Sequence, residues 1–271
     1  RKFQERFPCF VEELQSDKLI IYIFGTVLII SGLITPSMYP GDSAWLSLTK
    51  TYNNVLVEAL LAGHGVAPNY SGYIATEGFG EFFLYLSIIT IVLGPKVIFR
   101  DHRSATIDMI FAQPLPFNKV VNQRLAAIIL EIFTLGLLSI TGYVLGTILL
   151  NDYYNYIPAI GAGILFIFLI TLTMTFINAF IASFLKNTGS ALGASTLVYF
   201  GLYLTYLIAF TIDPLKTLSK LTPFSWSDRT GILYDQTLHW NDFLAFFGYV
   251  SLIALMTFLT LRNIKKKEFL G

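Results

Sequence analysis

The sequence contains few charged residues and almost no cysteine. Charged side chains make up 13% of its 271 residues, whereas 55% are hydrophobic; soluble domains carry about 25% charged residues. The single cysteine, Cys9, excludes a disulfide within the chain and a thiolate metal site. A net charge of +1 lacks the basic excess that binding to nucleic acid requires. The composition therefore predicts a membrane protein without a nucleic-acid partner.

Catalytic and metal-binding patterns are also missing from the sequence. The three histidines, His64, His102 and His239, fall in different predicted loops and cannot converge on one metal. No HExxH pattern, intramembrane carboxylate pair or glycine-rich phosphate loop occurs. The sequence therefore predicts a chain that is not an enzyme, binds no metal or cofactor and carries no energy source of its own.

Long apolar runs are the main feature that is present. A membrane-spanning helix needs about 20 mostly apolar residues, and the sequence predicts an all-α membrane protein with one transmembrane domain over residues 1–271. The six predicted spans are residues 19–35, 82–99, 125–150, 157–185, 190–212 and 243–261. Ahead of them, apolar residues at helical spacing within residues 1–18 predict an amphipathic helix in the membrane interface.

Two long connections, residues 36–81 and 213–242, join some of these spans. In the first, Trp45, Leu48 and Ala59 share one face of a predicted helix that would rest on the membrane surface. The second contains prolines and tryptophans, which favours a segment that dips partly into the membrane interface. A plain exposed loop is the alternative for the second connection.

The basic residues predict the orientation of the chain. All but four of the 18 lysines and arginines lie at the two ends of the chain, in residues 96–124 or at Lys186. The four exceptions, which fall in the two long connections, are Lys50, Lys216, Lys220 and Arg229. Because basic residues are retained on the cytoplasmic side, we expect a multi-pass cell-membrane protein whose termini and residues 100–124 are cytoplasmic.

One charge lies firmly inside a predicted span. Glu131 is about two turns into the third span, and an intramembrane carboxylate is a functional candidate by default. Its position near the cytoplasmic end of the span would also let it reach Arg124 or Lys186. A structural role is therefore the favoured interpretation of Glu131.

Small and aromatic residues suggest two kinds of surface. Gly142 and Gly146, and likewise Gly189 and Gly193, are spaced for close helix packing. Packing within one chain is favoured for both pairs, and Gly189 and Gly193 are the candidates for contact with a second chain. The fifth span carries aromatic residues that could line a substrate path or form a wall against lipid: Tyr199, Tyr203 and Tyr206.

Residues 99–124, FRDHRSATIDMIFAQPLPFNKVVNQR, form a charged segment between two apolar runs. Asp101 or Ser104 can cap a short helix, which Pro114 would end. An apolar face on that helix would consist of Ile107, Ile110 and Phe111. A short cytoplasmic helix with such a face suits docking into a groove on a soluble partner.

The same segment resembles a known family. The succession Asp101, Ala105-Thr106, Ile110-Phe111-Ala112 and Pro114, followed by a span that begins with basic residues, is similar to the pattern of ABC-2 type transporter permeases. The predicted six spans, the long last connection and the basic tail fit the same family. Two departures are Ala105, where the family usually has glycine, and Pro116-Phe117, where it usually has Ser/Thr-Arg.

The resemblance implies a function as the membrane subunit of an ATP-binding cassette (ABC) exporter. ATP and magnesium would be bound by a separate ATPase subunit on the cytoplasmic side. Two permease chains, identical or related, would pair across the first and fifth spans within membrane lipid and export a hydrophobic or amphipathic substrate. The coupling helix in contact with the ATPase would include Asp101, Arg103, Thr106, Ile107, Ile110, Phe111 and Pro114.

Other functions remain open at this point. A secondary transporter would need intramembrane ion-binding groups, of which Glu131 is the one candidate. A membrane scaffold could use the same ATPase without moving cargo. An intramembrane enzyme is disfavoured because no nucleophile, base and metal set converges at one depth.

Overall fold

The computed structural model describes residues 7–52, 55–61, 64–104, 117–150, 152–212 and 215–268. Within these ranges the chain is helical and contains no strand. The first half consists of α1 (Pro8–Ser37), α2 (Asp42–Tyr52), α3 (Val55–Leu60), α4 (Tyr70–Tyr73), a π-helix (Ile74–Phe79) and α5 (Gly80–Ser104). The second half consists of α6 (Phe117–Ile148), a 3₁₀ turn (Tyr154–Tyr156), α7 (Ile157–Ala182), α8 (Thr188–Thr211), α9 (Lys216–Ser219), a 3₁₀ turn (Pro223–Ser225), α10 (Arg229–Asp235) and α11 (Trp240–Glu268).

Five of these helices, α1, α6, α7, α8 and α11, are long and apolar enough to cross a membrane. The chain is therefore a multi-pass membrane protein. The predicted second span falls on α5, for which the shorter apolar stretch Tyr85–Phe99 is found among the described residues. The prediction of a sixth span is therefore not confirmed.

The first span and the segment before it form one continuous helix. Pro8 begins α1, where proline is tolerated because its missing N–H would have no intrahelical partner. No glycine or proline interrupts the chain from Cys9 to Phe24. The separate interfacial helix predicted for residues 1–18 is therefore not confirmed; residues 1–6 lie outside the described part.

Helices α1 and α6 run side by side in the same direction. The Cys9 N–H donates to Gln123 Oε1 over 3.1 Å near their beginnings. Towards their ends, a Cβ atom on Gly142 or Gly146 would lie 2.6 Å from the backbone oxygen of Ile29 or Leu33, respectively. The prediction that Gly142 and Gly146 serve packing within one chain is thus confirmed, because only glycine permits this approach.

Helices α5 and α7 form a second closely packed pair. A Cβ atom on Gly94 would lie 2.8 Å from the Thr175 backbone oxygen. The Asn178 side chain donates from Nδ2 to the Thr90 carbonyl over 3.2 Å, so a buried amide also joins the two helices. Close approach of the backbones at glycine is therefore a feature of both helix pairs.

The bundle has two distinct ends. The proximal end holds the start of α1 and the last turns of α11, where Asn263 Nδ2 donates to Ser183 Oγ over 2.8 Å. The distal end holds both long connections, and the Tyr70 and Thr147 hydroxyls are hydrogen-bonded there at 2.8 Å.

The long connections fold onto the distal end. The helix predicted in residues 36–81 is present as α2 and α3, but its predicted apolar face is only partly buried, since Trp45 is buried and Leu48 is exposed. The Trp45 indole N–H donates to the Ala67 carbonyl over 3.0 Å. The second connection reaches into the bundle with Phe224, which is fully buried. A plain exposed loop is therefore excluded for this segment.

Candidate functional sites at the two ends of the bundle

The predicted coupling residues lie mostly outside the described residues. Thr106, Ile107, Ile110, Phe111 and Pro114 all belong to the undescribed segment 105–116. Asp101 and Arg103 lie in the last turns of α5, where the backbone is described as helical. The coupling helix therefore stays a prediction. The helices on both sides of it, α5 and α6, are described.

A buried group of charges, here called the ion cluster, joins these flanking helices to α1 at the proximal end. It consists of Glu13 and Asp17 of α1, Lys96 of α5 and Arg124 of α6. Lys96 Nζ hydrogen-bonds to Asp17 Oδ1 and lies 3.4 Å from Glu13 Oε1. Arg124 Nε lies 3.6 Å from Glu13 Oε2, and Arg124 Nη1 donates to the Val97 carbonyl over 3.3 Å. The cluster thus connects three helices.

Because the ion cluster is largely buried, its charges are costly to separate. The side chains of Glu13 and Arg124 are 0% and 1% exposed. The two carboxylates and two cations of the ion cluster balance in charge. Removing any one of these side chains would leave a buried charge uncompensated. On the amphipathic interfacial helix predicted for residues 1–18, Glu13 would lie on the polar face, opposite the apolar residues, whereas the structure buries Glu13. The available signal was the four-residue spacing of Glu13 and Asp17, which places both on one face of a helix.

Glu131 lies deeper in the bundle, on the same helix as Arg124. Its side chain is buried, with 1% of the residue exposed. Glu131 belongs to α6, one of the helices that are long and apolar enough to cross a membrane. Its role stays a prediction.

At the distal end, the three predicted substrate-path tyrosines surround Phe224. The ring centroid of Phe224 lies 5.5 Å from that of Tyr199, 5.4 Å from Tyr203 and 6.2 Å from Tyr206. Phe83 of α5 closes the group at 5.6 Å from Phe224. We call these five residues the aromatic box. The structure brings the tyrosines together, although buried rings fill the space between them.

A buried arginine adjoins the aromatic box. Arg229 is 4% exposed, and its guanidinium carbon lies 4.6 Å from the centroid of the Phe83 ring, in a cation–π contact. Its Nη2 donates to the Tyr206 hydroxyl over a long 3.4 Å. From the sequence, Arg229 is only one of four basic residues in the long connections. Its burial depends on the fold of the second connection, which the sequence did not reveal.

A histidine–carboxylate pair joins the two long connections. His64 Nε2 lies 2.9 Å from Asp228 Oδ2, and the two side chains are 36% and 45% exposed. The hydrogen bond with Asp228 raises the pKa of His64, against a smaller lowering by burial. Burial raises the pKa of Asp228, but hydrogen bonds from His64 and the Gly231 N–H, with the positive charges of His64 and Arg229, outweigh it and lower that pKa. Each partner therefore favours the charged form of the other.

The first connection also forms a small cleft. The π-helix and α3 enclose about 250 Å³. Its lining consists of Val57, Leu60, Leu61, Ala75, Thr76, Glu77 and Gly80. Glu77 is the one ionisable residue in this lining, and π-helices frequently occur at functional sites. The cleft is therefore a second distal feature that the sequence did not predict.

The two glycine pairs have different surroundings. Gly142 and Gly146 pack against α1, whereas a Cβ atom on Gly193 would meet no heavy atom within 4 Å. A Cβ atom on Gly189 would meet only Asn187 Oδ1, at 3.7 Å. The preference for packing within one chain is therefore not supported for Gly189 and Gly193. This face of α8 is open to lipid or to a second chain.

Comparison with known proteins gives no independent identification. No family model, no curated protein and no solved structure matches the chain. Within the described ranges, no group of three or more histidine, cysteine, aspartate or glutamate residues is placed to hold a metal ion.

Proposed function

We propose that this chain is the membrane-spanning subunit of an ABC-2 type exporter, which moves a hydrophobic or amphipathic substrate. ATP and magnesium belong to a separate cytoplasmic ATPase. The observation that carries the proposal is the ion cluster. It joins α1 to both helices that flank segment 105–116, the segment that resembles a coupling helix.

The ion cluster supplies a rigid connection for force applied at segment 105–116. Separating one buried charge from its partners costs about 3–5 kcal/mol, so α1, α5 and α6 move together when a partner presses on the segment. Helix α5 carries Lys96 of the ion cluster and Phe83 of the aromatic box. These residues are about 20 Å apart at a rise of 1.5 Å per residue. A displacement at the proximal end therefore reaches the distal end along a single helix.

The remaining parts of the proposal follow from this arrangement. The proximal end is cytoplasmic, as the distribution of basic residues predicts. Tyr199, Tyr203 and Tyr206 meet the substrate once Phe224 is displaced. Gly189 and Gly193 contact a second permease chain, identical or related, because their face of α8 is uncovered within this chain.

The test is purification of the chain from its native membrane in a mild detergent, with mass spectrometry of the proteins that accompany it. The test variant is Ile110→Asp with Phe111→Asp. The control is Leu218→Asp with Leu221→Asp, which makes the same chemical change at exposed distal positions. We expect a stoichiometric partner with a phosphate-binding loop in the wild type and the control, and its loss in the test variant.

The opposite outcome has a defined meaning. If no ATPase accompanies wild-type protein that keeps its folded elution profile, the ABC proposal is wrong. A secondary transporter is then the next hypothesis, since Glu131 is a buried intramembrane carboxylate. Transport driven by an ion gradient and abolished by Glu131→Gln would support that hypothesis. Binding of the ATPase without any substrate movement would instead support a scaffold.

A further inference from the structure

Arg229 is a buried cation whose hydrogen-bonding capacity is largely unused. Its Nη1 atom is buried and has no hydrogen-bond partner among the described residues. Its one hydrogen bond in that part of the chain is the 3.4 Å contact from Nη2 to the Tyr206 hydroxyl. A guanidinium group carries five N–H donors. Buried polar groups are normally satisfied, so a group left in this state points to a partner that is not part of the chain.

The acidic residues nearest in sequence do not supply this partner. The oxygens of Asp228 accept from the Gly231 N–H over 2.8 Å and contact His64 Nε2 at 2.9 and 3.0 Å. Asp235 contacts His239 at 3.0 Å. Arg229 helps to lower the pKa of Asp228 through space, but no hydrogen bond joins them in the described structure. The cation is therefore available to an anion from outside the chain.

The surroundings of Arg229 define the chemistry of such an anion. Guanidinium donors match the oxygens of a carboxylate or a phosphate, which they can bind in a bidentate manner. The Tyr206 hydroxyl, already in contact with Nη2, is a further polar group at the same place. The Phe83 ring lies 4.6 Å from the guanidinium carbon, and the other rings of the aromatic box pack around Phe224, so aromatic surface that suits an apolar body adjoins the cation. The combination fits an amphipathic molecule with an anionic headgroup.

Tyr203 is the member of the aromatic box through which a ligand could reach Arg229 from the surface of α8. The other four members of the aromatic box are 5% exposed or less, whereas Tyr203 is partly exposed. Its neighbour Leu204 is 52% exposed on the outer surface of α8. A ligand that approaches along the membrane-facing side of α8 therefore meets Tyr203 before Arg229.

We propose that Arg229 and the aromatic box bind the carboxylate or phosphate headgroup of an amphipathic molecule. The identification of this molecule as the exported substrate rests on the proposed function; the binding itself does not. The inference thus assigns an anionic headgroup to a substrate that the proposed function describes only as hydrophobic or amphipathic.

The test uses the full chain in phosphatidylcholine nanodiscs and measures binding by tryptophan fluorescence. Trp226 is a suitable reporter because it lies three residues before Arg229 in the second connection, with its ring centroid 5.3 Å from that of Tyr249. The probes are dodecyl phosphate, dodecanoate, neutral dodecyl maltoside and inorganic phosphate. We expect saturable binding of the two anionic amphiphiles and no binding of the neutral one. The Arg229→Gln variant should lose roughly tenfold or more in affinity, since a charged hydrogen bond is removed.

Matched variants separate binding from folding. Lys220→Gln removes an exposed cation from the same connection and should leave affinity unchanged. Arg229→Lys retains the charge and should keep part of the affinity if Arg229→Gln fails to fold. Tyr206→Phe removes the hydroxyl in contact with Arg229 Nη2 and should weaken binding without loss of the folded state. Competition by phosphatidylglycerol in the nanodisc would identify a membrane lipid as the source of the headgroup and support the site.

Three results would overturn the proposal. Equal binding of anionic amphiphiles by wild type and Arg229→Gln would show that Arg229 is structural, with water at its free donors. Inorganic phosphate that binds as tightly as dodecyl phosphate would contradict the amphipathic ligand. Binding of dodecyl maltoside with equal affinity would contradict the headgroup assignment. Because no ATPase takes part in this experiment, its outcome is independent of the copurification test.

Discussion

The proximal and distal ends of the bundle differ in how their buried charged side chains are paired. At the proximal end, Glu13 lies close to Lys96 and Arg124, all within the chain. At the distal end, Arg229 is buried among aromatic rings and has one long hydrogen bond among the described residues. Paired buried charges fix a geometry, whereas a buried cation with unused donors accepts a ligand. The proximal end thus holds three helices together, whereas the distal end is suited to bind an anionic ligand.

The elements that build the two ends also differ. Three continuous helices, α1, α5 and α6, supply the ion cluster. The distal site combines long helices with the short elements Pro223–Ser225 and Arg229–Asp235. Long helices transmit displacement along their axes, and short segments can rearrange locally. Substitutions at the two ends should therefore differ in their effect on stability.

The largest effect is expected for Arg124→Met at the proximal end. This change leaves the carboxylate of Glu13 buried with less compensating charge, so the free energy of unfolding should fall by about 3–5 kcal/mol. Thermal unfolding in detergent, followed by size-exclusion chromatography, measures the loss. Lys18→Met is the control, because Lys18 is exposed on α1 near the same end. Equal unfolding midpoints for the two variants would show that the ion cluster does not stabilise the bundle.

An intermediate effect is expected for the two glycine pairs. Gly142→Val places a side chain against the Ile29 backbone and should destabilise the α1–α6 pair by about 1–3 kcal/mol, as overpacking does. Gly193→Val has free space within the chain and should leave thermal unfolding nearly unchanged. If Gly193 contacts a second chain, its variant should instead shift the oligomeric state in cross-linking. A large loss of thermal stability in the Gly193→Val monomer would contradict this distinction.

The smallest effect is expected for the His64–Asp228 pair. The raised pKa of His64 means that its stabilisation is complete below pH 6.5, its ordinary value, and is lost as pH rises through the raised value. The lowered pKa of Asp228 means that its stabilisation is present above pH 3.8 and is lost as pH falls through the lowered value. The pair therefore stabilises the distal end most between these limits. Since both side chains are more than a third exposed, the effect should stay below about 1 kcal/mol.

The His64→Gln variant measures this contribution. Its unfolding midpoint should lie below that of the wild type at pH 5.5, and the difference should shrink at pH 8.5. His239→Gln is the control, because the His239–Asp235 contact is local, within four residues, and joins no separate segments. A difference between His64→Gln and wild type that is the same at both pH values would contradict a charged pair.

The sequence predicted the apolar helices more successfully than their ends. Five of the six predicted spans correspond to long apolar helices, because twenty apolar residues in a row give a local signal. Residues 1–18 show the limit of this reasoning. Their helical periodicity predicts a surface helix, but whether a helix stops or continues into a span depends on what it packs against, here α5 and α6.

The sites were predicted less completely. The sequence predicted Tyr199, Tyr203 and Tyr206 as candidates for a substrate path because they lie on one span. In the structure, all three pack around Phe224. The sequence did not reveal Phe224, Arg229 or the ion cluster as partners. These contacts join residues that are distant in the chain, such as Lys96 and Asp17, which are 79 positions apart. One sequence without spatial information contains no signal for such pairings.

By itself, the sequence determined that the protein is helical and membrane-embedded, because hydrophobicity acts locally and adds along a helix. It also determined where glycines are spaced for close helix packing. Only the tertiary structure decided which charges are paired, which glycines face a neighbour and which rings enclose Arg229. The physical reason is that electrostatic and packing energies depend on distances across the bundle. Those distances are set when helices from remote parts of the chain come together.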